Sequence, residues 1–117
     1  MKKIRAVILC AAAMSSGLIV EELKRISPSQ GIDMEIQCFA SLRYRSFDYS
    51  TVDLVLLAPQ VKGQAQDIRG YVNERGFKHI PIMLIPMREY GMVKGESILN
   101  MMIKTIEKNQ NPKVEES

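Results

Sequence analysis

The chain has two cysteines, one histidine, no long apolar run and no block of like charge. Each scarcity removes a class of function. Cys10 and Cys38 stand in different contexts, without a Cys-x-x-Cys or Cys/His ligand spacing, and His79 alone cannot complete a zinc site with them. A reduced, cytosolic protein without structural metal is therefore expected. The longest apolar run, residues 6–14, is nine residues long, against the roughly 18 to 20 that a bilayer-spanning helix needs. Lys2, Lys3 and Arg5 ahead of that run, with Ala11, Ala12 and Ala13 inside it, imitate a secretory signal. Cleavage there would remove the first strand of the pattern described next, so that reading is set aside. The net charge of +3 is mild and its Lys and Arg residues are scattered, which gives nucleic-acid binding no support.

What is present suits one domain. A chain of 117 residues, 46% hydrophobic, is long enough to bury its own core. Residues 4–9 are β-branched and aliphatic without alternation, as in a strand buried on both faces of a parallel sheet. From Ser15 the period changes: Leu18, Ile19, Leu23 and Ile26 lie at helical spacing, with acids early, bases late and Pro28 as a stop. Residues 32–39 alternate, which predicts an edge strand. Residues 40–50 are irregular, with room for one or two helical turns. Residues 52–58 form a buried strand cut off by Pro59, residues 62–74 a helix stopped by Gly76, and residues 80–86 a strand whose Pro81 suits the other edge. Gly91 and Gly95 bracket a loop. Ser97 is placed as the cap of a last helix with the stripe Ile98, Leu99, Met102, Ile103 and Ile106. Residues 109–117 are polar and read as a tail.

Strands alternating with helices predict an α/β domain with a four-stranded parallel sheet and right-handed crossovers. Ligands of such sheets bind at the carboxyl ends of the strands, near a topological switch point. Cys10, Pro59 and the segment 87–95 all fall there.

Cys10 ends the first strand just before a helix start, where unpaired backbone N–H groups and the helix dipole favour a thiolate. The same N–H groups can converge on an anion, with Ala11, Ala12 and Ala13 leaving the backbone open and Ser15 and Ser16 offering hydroxyls. On residues alone two readings stay open: a phosphate cradle with a nucleophile at its base, or a small cysteine packed under a helix.

The stretch Leu9-Cys10-Ala11-Ala12-Ala13-Met14-Ser15-Ser16-Gly17-Leu18 resembles the Cys-x-x-Gly-Met-Ser-Thr-Ser loop of the lactose, cellobiose and chitobiose type of IIB components of the sugar phosphotransferase system. The likeness continues in residues 52–60, similar to that family's apolar strand ending in Gly-Pro-Gln, and in Tyr90-Gly91 followed by Gly95. The resemblance implies a single IIB-like domain over residues 1–108. Its fold is a three-layer sheet of order 2-1-3-4 with helices on both faces, like that of low-molecular-weight tyrosine phosphatases. It also implies a cytoplasmic phosphocarrier without cofactor or metal. Cys10 would accept a phosphoryl group from a phosphohistidine of a IIA protein. It would pass that group to a sugar held by the membrane IIC permease, so the sugar is met indirectly and the domain itself does not insert into the membrane. Ala11, Ala12, Ala13, Met14, Ser15, Ser16 and Gly17 would form the phosphate-binding loop, with Pro59, Gln60, Tyr90 and Gly91 at its rim. Two positions depart from the pattern: Ala13 replaces the loop glycine, implying strain if that position needs positive φ, and Gly17 replaces the last serine.

The neighbouring readings are ordered by the same residues. A tyrosine phosphatase of this fold needs Cys-x5-Arg, and Ser16 stands where the arginine would be, so the bidentate phosphate clamp is missing. Such an enzyme also wants a general acid, and the segment after the fourth strand offers only Glu89. Hydrolysis ranks below relay. A regulatory relative with poor transfer and a thiol redox protein, the latter needing Cys38 near Cys10, complete the alternatives. Cys38 itself is read as a packed small residue and His79 as an ordinary turn histidine at the wrong end of the sheet. Tyr44 and Tyr49 are read as aromatic anchors of the crossover, Met83, Met87, Met92, Met101 and Met102 as mostly core filling, and Met14 as part of a partner-docking surface.

Overall fold

The structure is a computed structural model that describes residues 2–11 and 13–110, the side chains of residues 13–15 and 110 excepted. Four strands form one sheet: β1 (Lys2–Cys10), β2 (Ile32–Ala40), β3 (Leu54–Leu57) and β4 (Ile82–Leu84). All pairings are parallel and the order is β2-β1-β3-β4, as expected. The helices are α1 (Ala13–Ile26), α2 (Ala65–Glu74), α3 (Met87–Gly91) and α4 (Gly95–Gln110).

β1 is central, and its residues 6–10 are buried. β2 is an edge whose Ile32, Met34 and Ile36 turn inward while Asp33, Glu35 and Gln37 face out, the alternation of a strand with one wet side. The chain leaves β1 for β2 on one side and returns to β3 on the other. With right-handed crossovers, that reversal sends α1 and α2 to opposite faces. α4 joins α1: a Cβ placed on Gly95 would lie 2.5 Å from Glu22 Cγ and 3.3 Å from Ile26 Cδ1, so only glycine lets the two helices come this close.

The other face is sealed by the irregular crossover after β2, which folds as 3-10 turns at Ser41–Ser46 and Tyr49–Thr51. Tyr44 and Tyr49 are buried anchors, as read from the sequence. Tyr49 donates to the Tyr44 carbonyl at 2.7 Å, and Tyr71 of α2 meets both rings edge-on. Burial first, then the neighbouring tyrosines, pushes the Tyr49 hydroxyl up to about 12.

Helix ends account for the differences from expectation. α1 starts at Ala13 instead of Ser15, and α4 starts at Gly95, so Ser97 lies inside the helix and caps nothing. The stretch ahead of α2 is a 3-10 turn, Pro59–Gln64, so the α-helix itself is shorter than residues 62–74. α2 ends as its glycine predicts: Gly76 has φ +92°, and the Gly76 and Phe77 amides return to the Asn73 and Val72 carbonyls. The loop expected over residues 87–95 contains the helix α3. It closes by the same pair of bonds, Val93 N–H to Tyr90 O and Lys94 N–H to Glu89 O, but with valine at φ +50°, a β-branched residue in a region that favours glycine. Met87 and Met92 are 64% and 63% exposed and fill no core, whereas Met83 and Met102 do.

Candidate active site

The carboxyl ends of β1 and β3 meet where the strand order reverses. Ala58 N–H donates to Leu9 O at 3.0 Å and Ile85 N–H to Leu57 O at 2.9 Å, so Cys10, Pro59 and α3 stand along one edge of the sheet. This is the switch point at which open α/β sheets hold their ligands. Cys10 is the last residue of β1, Ala11 is exposed, and α1 begins at Ala13. The cysteine therefore sits within three residues of a helix N-terminus, whose first N–H groups have no intrahelical acceptor. Cys10 is 1% exposed, and its thiol leans across to β2, donating to Phe39 O at 3.9 Å, a long contact even for sulfur.

The early start of α1 changes the anticipated loop. Ala13 is its first residue, a right-handed helical position that alanine occupies without strain, so the strain expected there does not arise. Ser16 and Gly17 belong to the helix and not to a loop. Ser16 is fully buried and its hydroxyl lies 2.8 Å from the Tyr90 hydroxyl, itself 6% exposed, so Ser16 faces the protein interior and not an anion in front of Cys10. Ala12 and the side chains of Ala13, Met14 and Ser15 lie outside the described residues.

The anticipated rim divides. Tyr90 is brought in from α3 and tied to the first turns of α1 through Ser16. Pro59 is buried two residues after β3, while Gln60 and Gly91 are exposed at the same edge. Beyond β2, Leu42 is 85% exposed, with Arg43 over the Phe39 ring at 5.7 Å and Arg45 over Tyr44 at 4.8 Å. Leu18, Met87 and Met92 add further exposed apolar side chains from α1 and the segment after β4.

Two residues stand beside Cys10: Phe39, which the sequence does not point to, and Cys38, which the thiol redox alternative requires there. Phe39 supplies the carbonyl that holds the thiol, and Cys38 adjoins it. Cys38 pairs in register with Ile8 and Ala40 with Cys10, so alternation along the strands turns Cys10 and Cys38 to the same face. Burial first, then the charge and hydrogen bonding of Cys10, pushes the Cys38 thiol up to about 11, with Lys24 of α1 opposing. Sequence spacing alone does not disclose this: the in-register parallel pairing of the first two strands sets Cys38 two positions behind Cys10.

His79 lies at the opposite, amino end of the sheet, exposed, with its ring 6.2 Å from that of Phe77. A cavity of about 560 Å³ there is lined by Arg5, Asp53, His79 and Pro81 among others, and nothing of the Cys10 region borders it. Among the described residues no cluster of His, Cys, Asp and Glu could hold a metal ion, and no helix is long and apolar enough to cross a membrane.

Comparison with known proteins identifies the family. At the level of sequence, the chain is 29% identical over 94 residues to the galactose-specific EIIB component of Lactococcus lactis subsp. cremoris, covering 77% of this chain and 84% of the relative. It is 29% identical over 107 residues to the oligo-beta-mannoside-specific EIIB component of Bacillus subtilis, covering 88% and 98%. The solution structure of the cellobiose-specific IIB component of Borrelia burgdorferi superimposes with a TM-score of 0.70 at 26% identity, covering 92% of this chain and 94% of that one. The lactose-specific IIB domain of Streptococcus pneumoniae shares the fold, with a TM-score of 0.73 at 18% identity over 89% and 98% of the two chains. Residues 5–101 match the family described as the lactose/cellobiose-specific IIB subunit of the PTS system, and with the cysteine at the sheet's switch point the chain belongs to that family.

Proposed function

We propose that this IIB subunit is a protein-phosphocysteine sugar phosphotransferase that carries a phosphoryl group on Cys10. The Cys10 sulfur attacks the phosphorus of a IIA phosphohistidine, forming the S–P bond as the N–P bond breaks. A sugar hydroxyl presented by the membrane IIC component then attacks the same phosphorus, breaking S–P and forming the sugar phosphate. The observation that carries this reading is the position of Cys10: last residue of the central strand, three residues before α1, at the switch point of the sheet.

Such a transfer asks the protein for an in-line nucleophile and donors around the equatorial oxygens, and little further chemistry. The free N–H groups opening α1 supply donors in front of Cys10. In the resting state the thiol is turned to Phe39 O, so acceptance requires it to rotate from β2 toward the helix start. No arginine clamps the phosphate: Ser16, where a phosphatase of this fold carries one, is buried against Tyr90. A group held by backbone amides without a bidentate clamp is free to leave to the next acceptor, which favours relay over hydrolysis. Exposed Leu18, Leu42, Met87 and Met92 suit the docking of protein partners at this edge. The relatives are named for different sugars, galactose and oligo-beta-mannoside among them, which fits a scheme in which the membrane component selects the sugar.

The test is intact mass after incubation with phosphoenolpyruvate and the upstream carriers. The wild-type chain is expected to gain one phosphoryl group and Cys10→Ala none. No addition to the wild type, or addition that survives in the variant, contradicts the relay.

A further inference from the structure

The relay as proposed does not use Cys38, yet it is the thiol that adjoins Cys10. We propose that Cys10 and Cys38 form a reversible disulfide when a hydroperoxide oxidises Cys10, withdrawing the phosphoryl acceptor from the relay. The regulatory half of this proposal rests on the phosphocarrier reading; the disulfide itself does not.

The geometry comes from the sheet. In-register pairing of β1 with β2 puts Cys38 beside Ile8 and Ala40 beside Cys10, and alternation turns both cysteines to the face covered by α1. The Cys10 thiol already points across the strand gap, to the carbonyl of Phe39, the residue after Cys38. Strand spacing and rise put such diagonal Cα atoms about 8 Å apart. A disulfide wants roughly 4.4–6.8 Å, so the bridge draws Cys10 toward β2 by about 1–2 Å. Cys10 is the last residue of β1, with a bend at Ala11 and α1 from Ala13, so the movement breaks no further ladder hydrogen bonds beyond it. It also takes the sulfur away from the helix N-terminus. Cys38 is half-buried and Cys10 buried, so oxidation of Cys10 requires the same rotation of its thiol toward the helix start that phosphoryl acceptance requires.

The chemistry balances with the peroxide as the oxidant. The Cys10 thiolate attacks a peroxide oxygen, forming S–O while O–O breaks, and the departing alkoxide or hydroxide takes a proton; Cys10 becomes a neutral sulfenic acid. The Cys38 sulfur then attacks the Cys10 sulfur, S–S forms, S–O breaks, and the leaving hydroxide departs as water with the Cys38 proton. A dithiol reductant returns both electrons and both thiols. Phosphorylated Cys10 has no free thiolate and is spared, so only the idle carrier is switched off.

The experiment treats the full chain with hydrogen peroxide, quenches with a thiol alkylator under denaturing conditions, and maps the products by mass. Expected is joint loss of both thiols, a Cys10–Cys38 linked peptide, and full recovery with dithiothreitol. In Cys38→Ser, Cys10 is expected to accumulate as a dimedone-reactive sulfenic acid and then as irreversible higher acids, while the reduced variant accepts phosphate as the wild type does. Wild-type Cys10 that stays unoxidised, proceeds to sulfinic acid as fast as in Cys38→Ser, or links only between chains overturns the proposal. A linked chain that still accepts phosphate overturns the regulatory half. Reduced chain that accepts none, with the bridge intact, counts against the relay and leaves the disulfide standing.

Discussion

Tyr90 and Ser16 form the contact by which the α3 segment reaches the start of α1. Their hydroxyls are 2.8 Å apart and both residues are buried, so the Ser16 oxygen cannot turn to water if the Tyr90 hydroxyl is lost. Tyr90→Phe keeps the ring and removes the hydroxyl, leaving the Ser16 hydroxyl short of a partner at about 1–3 kcal/mol. Calorimetry should show a lower unfolding midpoint, and hydrogen exchange should quicken in the first turns of α1 while the β1–β3 amides keep their protection. A variant with the wild-type midpoint and unchanged α1 exchange would show that the bond does not hold the helix start. At this scale the sequence exposes chemistry more readily than orientation. Cys10 stands out because a small-residue stretch follows an apolar run, and Tyr90 because Gly91 follows it. Ser16 does not disclose that it faces inward, since only the start of α1 at Ala13 decides which way the fourth helical residue points. Cys38 reads as a packed residue until strand register sets it beside Cys10.

Among the elements, the long ones are legible and the short ones are not. The strands β1 to β3 and the helices α1 and α4 announce themselves by period, since each repeats its apolar spacing or runs unbroken through the core. α3 has five residues, too few for a period, and the turn after it is closed by a valine at φ +50° where glycine would have flagged it. Ser97 has the chemistry of a cap, but the helix continues back to Gly95 because α1 and α4 pack closely there. That packing gives a paired prediction. Gly95→Ala drives a methyl against Glu22 Cγ, an atom inside the side chain and not at its free end, and should cost about 1–3 kcal/mol by overpacking. Gly70→Ala, inside α2 with open space around its Cβ, should stabilise by about 0.5–1 kcal/mol through helix propensity. Urea melts of the two variants should move in opposite directions. Equal shifts would mean that the α1–α4 approach does not limit residue size at position 95.

For the whole molecule, topology does what no single residue can. The order β2-β1-β3-β4 reverses beside Cys10 and gathers β1, the turn after β3 and the α3 segment along one edge. The opposite end, with its cavity, His79 and the Arg5–Asp53 pair, lies away from the cysteine. On the proposed relay, this edge holds a phosphoryl group for onward transfer and does not hydrolyse it. The direct measurement isolates the phosphorylated chain and follows the label in buffer alone, and then with membranes carrying the cognate permease with and without its sugar. The label is expected to persist in buffer and to pass to sugar only when permease and sugar are both present. Release as inorganic phosphate at the same rate with and without permease and sugar would contradict it.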